Sequence, residues 1–228
     1  MKHVEIELLA LREEVNQMWR LVLSQLEKAK QAFLNHDIEL ARAVASRERR
    51  VNAFDLKIES DCENYIALFS PVAIDLRLTL SLIKISHTLE RIGDFATGIA
   101  RHVVNDDCSG MDSLIVEELQ IEKMFDILIS MLSDCFVALE SENTRISGKI
   151  IAKDEEVDDI YRASLDILTT FIENNPTMAR CALKTNLLIR KLERIGDHCN
   201  NIVEEIVFYV DAKVLKHGGT RNHSPSKT

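Results

Sequence analysis

Acidic residues four positions apart are the residues of this sequence best suited to chemistry. The hexapeptide Leu-Glu-Arg-Ile-Gly-Asp occurs at 89–94 and again at 192–197, and in both copies the glutamate precedes the aspartate by four residues. Side chains at this spacing lie one turn apart on the same face of an α-helix. Two carboxylates so placed repel each other by roughly 0.2–0.5 kcal/mol unless a cation or a donor separates them. The pairs, Glu90 with Asp94 and Glu193 with Asp197, therefore indicate a neutralising partner such as a metal ion.

A second set of oxygen-bearing side chains precedes each hexapeptide. Aligning the two halves of the chain back from the proline that precedes each hexapeptide places Glu48 with Asn52 opposite Asp154 with Asp158. Two oxygen ligands from each of two adjacent helices suffice for a cluster that holds Mg, Mn, Fe or Zn. The sequence therefore predicts one metal site in each half.

Two other interpretations of these acids stay open. Acidic pairs are common on long helices, and a solvated acidic face, such as the run at 154–159, needs no metal. Alternatively, Arg91 and Arg194 pair with the acids while Gly93 and Gly196 allow two helices to approach closely. A glycine inside a helix costs about 1 kcal/mol relative to alanine, so it implies a tight contact. A solvated face gives no reason for a letter-for-letter repeat.

Known catalytic signatures are missing from the sequence. It contains no Glu-x-x-His, no His-Glu-x-x-His, no Gly-rich phosphate loop and no Gly-x-Ser-x-Gly. His87 and His198 adjoin the acidic pairs, but an isolated helical histidine is more often a packing or surface residue than a ligand. We therefore predict no catalytic residue.

Composition limits the class of protein. Only 7 glycines and 3 prolines interrupt 228 residues, and aromatic residues make up 5%, which favours long helices. A formal net charge of −9 argues against binding to nucleic acid or to an anionic membrane. The amino terminus is acidic where a secretory signal needs an apolar core, and no apolar run is long enough to span a membrane, so we expect a cytoplasmic protein. Five scattered cysteines without a Cys-x-x-Cys pair indicate neither a disulfide framework nor a zinc knuckle.

Apolar residues at intervals of three and four predict three helices in each half. In the first half the helices are expected from Val4 to about Asn35, from an N-cap at Asp37 to about Ser70, and from Pro71 to near Val104. The third includes 76–82, whose strict alternation resembles a strand but which has no partner strand. In the second half they are expected over 112–139, over 144–173, and from Pro176 past 210.

These elements predict an all-α fold made of two tandem antiparallel three-helix bundles related by internal duplication. The first bundle is expected over residues 1–107 and the second over 108–213. Residues 214–228 are expected to form a polar, disordered tail.

The sequence resembles the PhoU family of phosphate-regulatory proteins over nearly its whole length. The resemblance rests on Pro71-Val-Ala-Ile-Asp-Leu-Arg77, on the two hexapeptides, and on Asp197-His-Cys-Asn-Asn-Ile-Val-Glu204. It implies tandem three-helix bundles, surface metal clusters bound through Glu/Asp-x-x-x-Asp motifs, and homodimers or larger assemblies. It also implies a cytoplasmic negative regulator that couples the ATPase of the phosphate-specific ABC transporter to a phosphate-sensing histidine kinase.

Carried over position by position, the resemblance implies metal ligands in both halves. Those of the second half are Glu193, Asp197, Asn201, Asp154 and Asp158. Those of the first half are Glu90, Asp94, Glu48 and Asn52. The first half departs from the family pattern, since Asn52 replaces an acid and Gly98 stands where an asparagine is expected. Its site is therefore expected to be the weaker one, or empty.

We thus expect a non-enzymatic, metal-binding adaptor that binds Fe, Zn, Mn or Mg and touches the membrane only through the transporter. The alternatives are a metal-dependent helical-bundle enzyme acting on phosphate compounds and a structural helical bundle without metal.

Overall fold

The computed structural model describes residues 3–105 and 113–214, and both ranges are helical without a strand. The first range forms α1 (His3–Asn35), α2 (Ile38–Ala45), α3 (Glu48–Phe69) and α4 (Ala73–Val104). The second forms α5 (Ser113–Glu118), α6 (Ile121–Ser141), α7 (Ser147–Asn174) and α8 (Ala179–Asp211), with 3₁₀ turns at Thr144–Ile146 and Pro176–Met178. The predicted all-α fold of tandem bundles is confirmed. The predicted boundary between the bundles at 107–108 and the predicted tail from 215 onward lie outside the described residues.

Helix boundaries follow the local signals, with two exceptions in the first half. Asp37 caps α2 as predicted, because its carboxylate accepts a hydrogen bond from the Leu40 N–H at 2.9 Å. The expected single helix to Ser70 is instead interrupted between α2 and α3. Pro71 lies before α4 rather than in its first turn, so that prediction is wrong. The reason is that Ser70 adopts a left-handed conformation (φ 46°, ψ 55°) and Val72 is extended, which delays the helix to Ala73.

The expected helix over 112–139 is likewise divided. Gln120 takes left-handed dihedral angles (φ 50°, ψ 33°) between α5 and α6. The segment at 76–82 lies inside α4, so its helical prediction is confirmed. Alternation of apolar and polar residues is therefore not sufficient to form a strand when the described residues offer no second strand to pair with it.

The two bundles share one core. In the first bundle α4 packs against α1, α2 and α3, and in the second α8 packs against α6 and α7. The bundles meet where α4 lies against α8 and where α1 lies against α6. Trp19 illustrates the junction, since it is 1% exposed and its indole N–H donates to the Leu132 carbonyl at 3.2 Å. The duplicated units therefore form one continuous apolar interior rather than two separate cores.

A constant shift of 103 positions relates the two bundles in space as well as in sequence. Gly93 is closest to Val51 and Gln25, while its repeat equivalent Gly196 is closest to Asp154 and Leu128, and each of these pairs differs by the same shift. Phe95 and His198 are also equivalent, and their rings stack on each other at 5.6 Å where α4 meets α8. Equivalent residues that touch each other mark the axis of a pseudo-twofold relationship.

None of the helices in the described ranges is both long and apolar enough to cross a membrane. Cys62, Cys135 and Cys199 are buried free thiols. Cys181 is disulfide-bonded, which departs from the expectation drawn from cysteine spacing.

Candidate functional site

Helices α7 and α8 bring together four of the predicted acids of the second bundle. Burial is the main cause that raises the pKa values of Asp154, Asp158 and Glu193. Repulsion among the acids adds to it: Asp197 raises the pKa of each of these three groups, and Asp158 raises those of Asp154 and Glu193. The four carboxylates therefore lie close enough together for their charges to interact.

Asp154 is the most unusual of the four acids. It is 9% exposed, and burial followed by the charges of Asp158 and Asp197 raises its pKa to about 7. Its Oδ2 accepts a hydrogen bond from the side-chain amide of Asn200 at 2.5 Å. Its Oδ1 is buried without a hydrogen-bond partner among the described residues. One oxygen of Asp154 is thus held by Asn200, whereas the other is a buried acceptor without a partner. A cation bound at this oxygen would supply the missing interaction.

Gly196 makes the position of Asp154 possible. A Cβ added at Gly196 would come closer than 3.0 Å to the Oδ1 atom of Asp154, a separation that real Cβ atoms do not show. The glycine of the second hexapeptide therefore allows a carboxylate to lie directly against the backbone of α8. This observation supports the close-approach interpretation of the repeated glycine without excluding a cation at the acids.

The first bundle has the same plan with one decisive difference. Burial raises the pKa values of Glu90 and Asp94, and the charges of Asp94 and Asp55 add to the shift of Glu90. Val51 occupies the place over Gly93 that Asp154 occupies over Gly196. The first bundle therefore lacks the buried carboxylate, which agrees in direction with the expectation of a weaker site.

The structure corrects the alignment of the second helices. With the shift of 103 positions, the equivalents of Asp154 and Asp158 are Val51 and Asp55, not Glu48 and Asn52. The pairing from the prolines joined residues 106 positions apart. Two of the three excess positions arise because Pro176 lies two residues closer to its hexapeptide than Pro71 does, and the third is a miscounted position.

Asp55 is a site residue that the sequence analysis missed. Its carboxylate accepts from the Ser86 hydroxyl at 2.8 Å and lies 2.9 Å from Nδ1 of His87. Subtracting the shift of the hexapeptides from Asp158 would have found it.

The remaining predicted ligands lie at the edges of the two clusters. Glu48 is ion-paired with Arg101 at 2.5 Å, and its charge raises the pKa of Asp94. Asn52 and Asn201 are exposed, and neither side chain makes a hydrogen bond within the described part of the chain. Asn201 follows Asp197 by one helical turn on the same face.

Both hexapeptide arginines contact acids of their own copy. Arg91 lies 3.8 Å from Glu90 and Arg194 lies 3.8 Å from Asp197. These separations are long and the side chains are largely exposed, so each pair contributes little. His198 is not placed as a ligand. Burial lowers its pKa, with Arg194 adding to the effect, and its ring stacks on Phe95.

The acids fit a metal by donor chemistry more than by arrangement. Carboxylate and amide oxygens are the ligands of hard divalent cations. Within residues 3–105 and 113–214, however, no group of three or more His, Cys, Asp or Glu side chains is arranged so that it could hold a metal ion. Binding of a cation would therefore require side-chain rotations. The cost of these rotations is lowered because Oδ1 of Asp154 has no hydrogen bond to lose and because a cation would relieve the repulsion among the acids.

Comparisons with known proteins agree on one family. The sequence profile of the PhoU domain matches residues 15–103 and 121–206. The phosphate-specific transport system accessory protein PhoU of Edwardsiella tarda is 33% identical over 93% of this chain and 86% of its own length. The protein of the same name from Escherichia coli K12 is 32% identical over 93% of this chain and 87% of its own length.

Solved structures show the same likeness. The phosphate transport system regulatory protein PhoU from Streptococcus pneumoniae matches with a TM-score of 0.84 and 26% identity, covering 94% of this chain and all of its own. PhoU from Pseudomonas aeruginosa matches with a TM-score of 0.86 and 28% identity, covering 92% of this chain and 99% of its own. The likeness therefore extends over both bundles.

Proposed function

Because this chain belongs to the PhoU family, we propose that it is a negative regulator of phosphate uptake and of the response to phosphate starvation, acting as a metal-binding adaptor. Its relatives are named as accessory and regulatory proteins of phosphate transport rather than as enzymes. The proposed partners are the ATPase of the phosphate ABC transporter and a phosphate-sensing histidine kinase, which the protein would bridge as a homodimer in the cytoplasm. No observation favours the alternative of a metal-dependent enzyme.

The carboxylate cluster of the second bundle is the observation that supports the metal-binding part of this proposal. Glu193, Asp197, Asp158 and Asp154 would hold the cation, with Asn201 as a further oxygen donor. A bound cation would remove the repulsion that raises the pKa values of these acids, and it would turn an acidic surface into one that attracts anionic groups of a partner. In the first bundle Glu90, Asp94 and Asp55 would form a weaker site, because Val51 replaces the buried carboxylate.

Metal analysis of protein purified without chelator tests the site. We expect bound metal in the wild type, a clear loss in Glu193→Ala/Asp197→Ala, and a smaller loss in the matched variant Glu90→Ala/Asp94→Ala. The pairs occupy equivalent positions of the two repeats, so general effects of removing two acids are controlled. Equal stoichiometry in all three proteins would contradict the assignment.

Co-purification tests the adaptor role. Tagged protein should retain the transporter ATPase and the histidine kinase, and Glu193→Ala/Asp197→Ala should retain less of at least one of them. In cells, deletion should raise expression from a phosphate-starvation promoter in phosphate-rich medium. A deletion strain that still represses this promoter would refute the regulatory proposal.

A further inference from the structure

A shallow cleft between α1 and α3 concentrates positive charge in an otherwise acidic protein. It has a volume of about 490 Å³ and is lined by Gln17, Arg20, Leu21, Ser24, Arg47 and Arg50. We call it the basic cleft. Three of these lining residues are arginines and none is acidic, although the whole chain carries a formal net charge of −9. Another cleft between the same two helices is lined instead by acids, among them Glu7, Glu14 and Asp61.

Two of the three guanidinium groups have no carboxylate partner. Within the described part of the chain, no acid lies within ion-pairing distance of Arg47 or Arg50. Arg47 donates a long hydrogen bond of 3.4 Å to the Ser24 hydroxyl, and Arg50 lies over the ring of Phe54 at 5.8 Å. Glu48, which separates them in the sequence, is ion-paired with Arg101 instead. The positive charges of Arg47 and Arg50 are therefore not compensated by a carboxylate of the described residues.

Arg20 completes the cluster from the other helix. Its guanidinium lies 6.0 Å from the ring of Phe136 and 3.3 Å from Glu13. Both members of that ion pair are more than half exposed, at 60% and 52%, so the pair is weak and readily exchanged. Aromatic rings under Arg20 and Arg50 limit the rotamers of both side chains, which lowers the entropy lost when they bind a ligand.

The second repeat provides an internal comparison. The shift of 103 positions carries Arg20 and Arg50 onto Lys123 and Lys153, and it carries Arg47 onto the buried Ile150. Each of these lysines is neutralised, because Lys123 pairs with Glu156 at 2.7 Å and Lys153 pairs with Asp134 at 2.7 Å. Uncompensated charge at this place is thus a property of the first repeat and not of the duplicated fold.

We propose that the basic cleft binds a phosphate-type oxyanion, supplied either as inorganic phosphate or as the phosphate chain of a nucleotide. Guanidinium groups present planar forks of N–H donors that match two oxygens of a phosphate at once. The Ser24 hydroxyl, which also lines the cleft, adds an uncharged donor. The Gln17 amide donates to the exposed Glu13 carboxylate at 3.2 Å, so an anion would have to displace Glu13 from both Gln17 and Arg20. The volume lies within the roughly 300–1,000 Å³ of small-molecule sites, so it admits either source.

The basic cleft shares no residue with the proposed metal ligands. Its residues come from α1 and the start of α3, whereas the hexapeptide acids lie on α4 and α8. Anion binding can therefore be measured with a chelator present, where a metal-bridged phosphate at the acidic clusters cannot contribute. Failure of the metal proposal leaves this inference intact, and the reverse also holds.

Calorimetric titration of the full chain in chelator tests the inference with inorganic phosphate, ADP and adenosine as probes. We expect phosphate, ADP or both to bind with a Kd below about 10 mM and adenosine not to bind. Arg47→Ala/Arg50→Ala should weaken that binding about tenfold or more, and Arg47→Lys/Arg50→Lys should restore part of it. The matched variant Lys123→Ala/Lys153→Ala should bind as the wild type does.

The arms of the titration separate the two sources and the outcomes that overturn the inference. Binding of ADP but not of phosphate assigns the cleft to a nucleotide. If the affinities for ADP and for phosphate are comparable when expressed per phosphate group, the cleft is assigned to the free anion. No binding of either probe at about 10 mM refutes the inference. The inference is also refuted if Arg47→Ala/Arg50→Ala binds the probes as the wild type does. The same holds if Lys123→Ala/Lys153→Ala weakens binding as much as the arginine variant does. Circular dichroism should show all variants folded, because none of the four replaced residues is buried: Arg47 and Lys153 are half-buried, and Arg50 and Lys123 are exposed.

Discussion

Replacement of Gly196 by alanine gives the sharpest test of how the repeated hexapeptide works. An alanine Cβ at 196 would overlap the Oδ1 atom of Asp154, so the carboxylate must leave its position against α8. Such overpacking costs about 1–3 kcal/mol, and a weakened hydrogen bond between Asn200 and a charged carboxylate costs about 1.5–3 kcal/mol. The better helix propensity of alanine offsets about 1 kcal/mol of this. We expect a net loss of about 1.5–5 kcal/mol in the free energy of unfolding.

Two other glycines serve as controls in the same protein. Gly148 has no atom within 4 Å of an added Cβ, so Gly148→Ala should stabilise the protein by up to about 1 kcal/mol. At Gly93 the nearest atom is Cγ1 of Val51 at 3.2 Å, so Gly93→Ala should fall between these values, within about 1 kcal/mol of the wild type. The predicted order of stability is therefore Gly148→Ala, then Gly93→Ala, then Gly196→Ala.

Urea denaturation followed by circular dichroism in a chelating buffer measures these differences. A double-mutant cycle with Asp154→Val, which copies the residue found in the first repeat, should show a coupling of at least about 1 kcal/mol, because the valine removes the atom that the alanine would overlap. If Gly196→Ala is as stable as Gly148→Ala, or if the coupling is absent, the assigned contact between Asp154 and Gly196 is wrong.

Three further predictions concern stability and metal. Hydrogen bonds from Tyr209 and Arg12 lower the pKa of Glu142, so their contribution to stability is present above the unfolded-state pKa and is lost as the pH falls through the lowered value. The difference in melting temperature between wild type and Tyr209→Phe should therefore shrink below about pH 4.5, and a difference independent of pH would contradict it. Asp37→Ala should lower the free energy of unfolding by about 1 kcal/mol through loss of the cap on α2, as measured in urea, whereas Asp37→Ser should restore most of it. Added Mn²⁺ or Zn²⁺ should raise the melting temperature of the wild type more than that of Glu193→Ala/Asp197→Ala, and equal shifts would contradict metal binding at the acids.

The sequence by itself determined the class of fold and the duplicated plan. Long amphipathic periods with few breakers leave no alternative to helices, and the hexapeptides 103 positions apart require two similar units. The acids of the hexapeptides were predictable as a cluster because i and i+4 side chains share a helix face whatever the rest of the chain does. Local rules also located the cap at Asp37.

Only the tertiary structure decided which residues of neighbouring helices meet. The repeat shift of 103 positions could have matched Asp55 with Asp158. Which side chains of α3 and α7 lie against α4 and α8, however, depends on packing between helices, which no local pattern specifies. The same holds for Gly196, whose purpose appears only when Asp154 is seen against it. The uncompensated arginines of the basic cleft are likewise invisible in a sequence whose net charge is negative, because pairing of charges depends on distances between helices that are far apart in the chain.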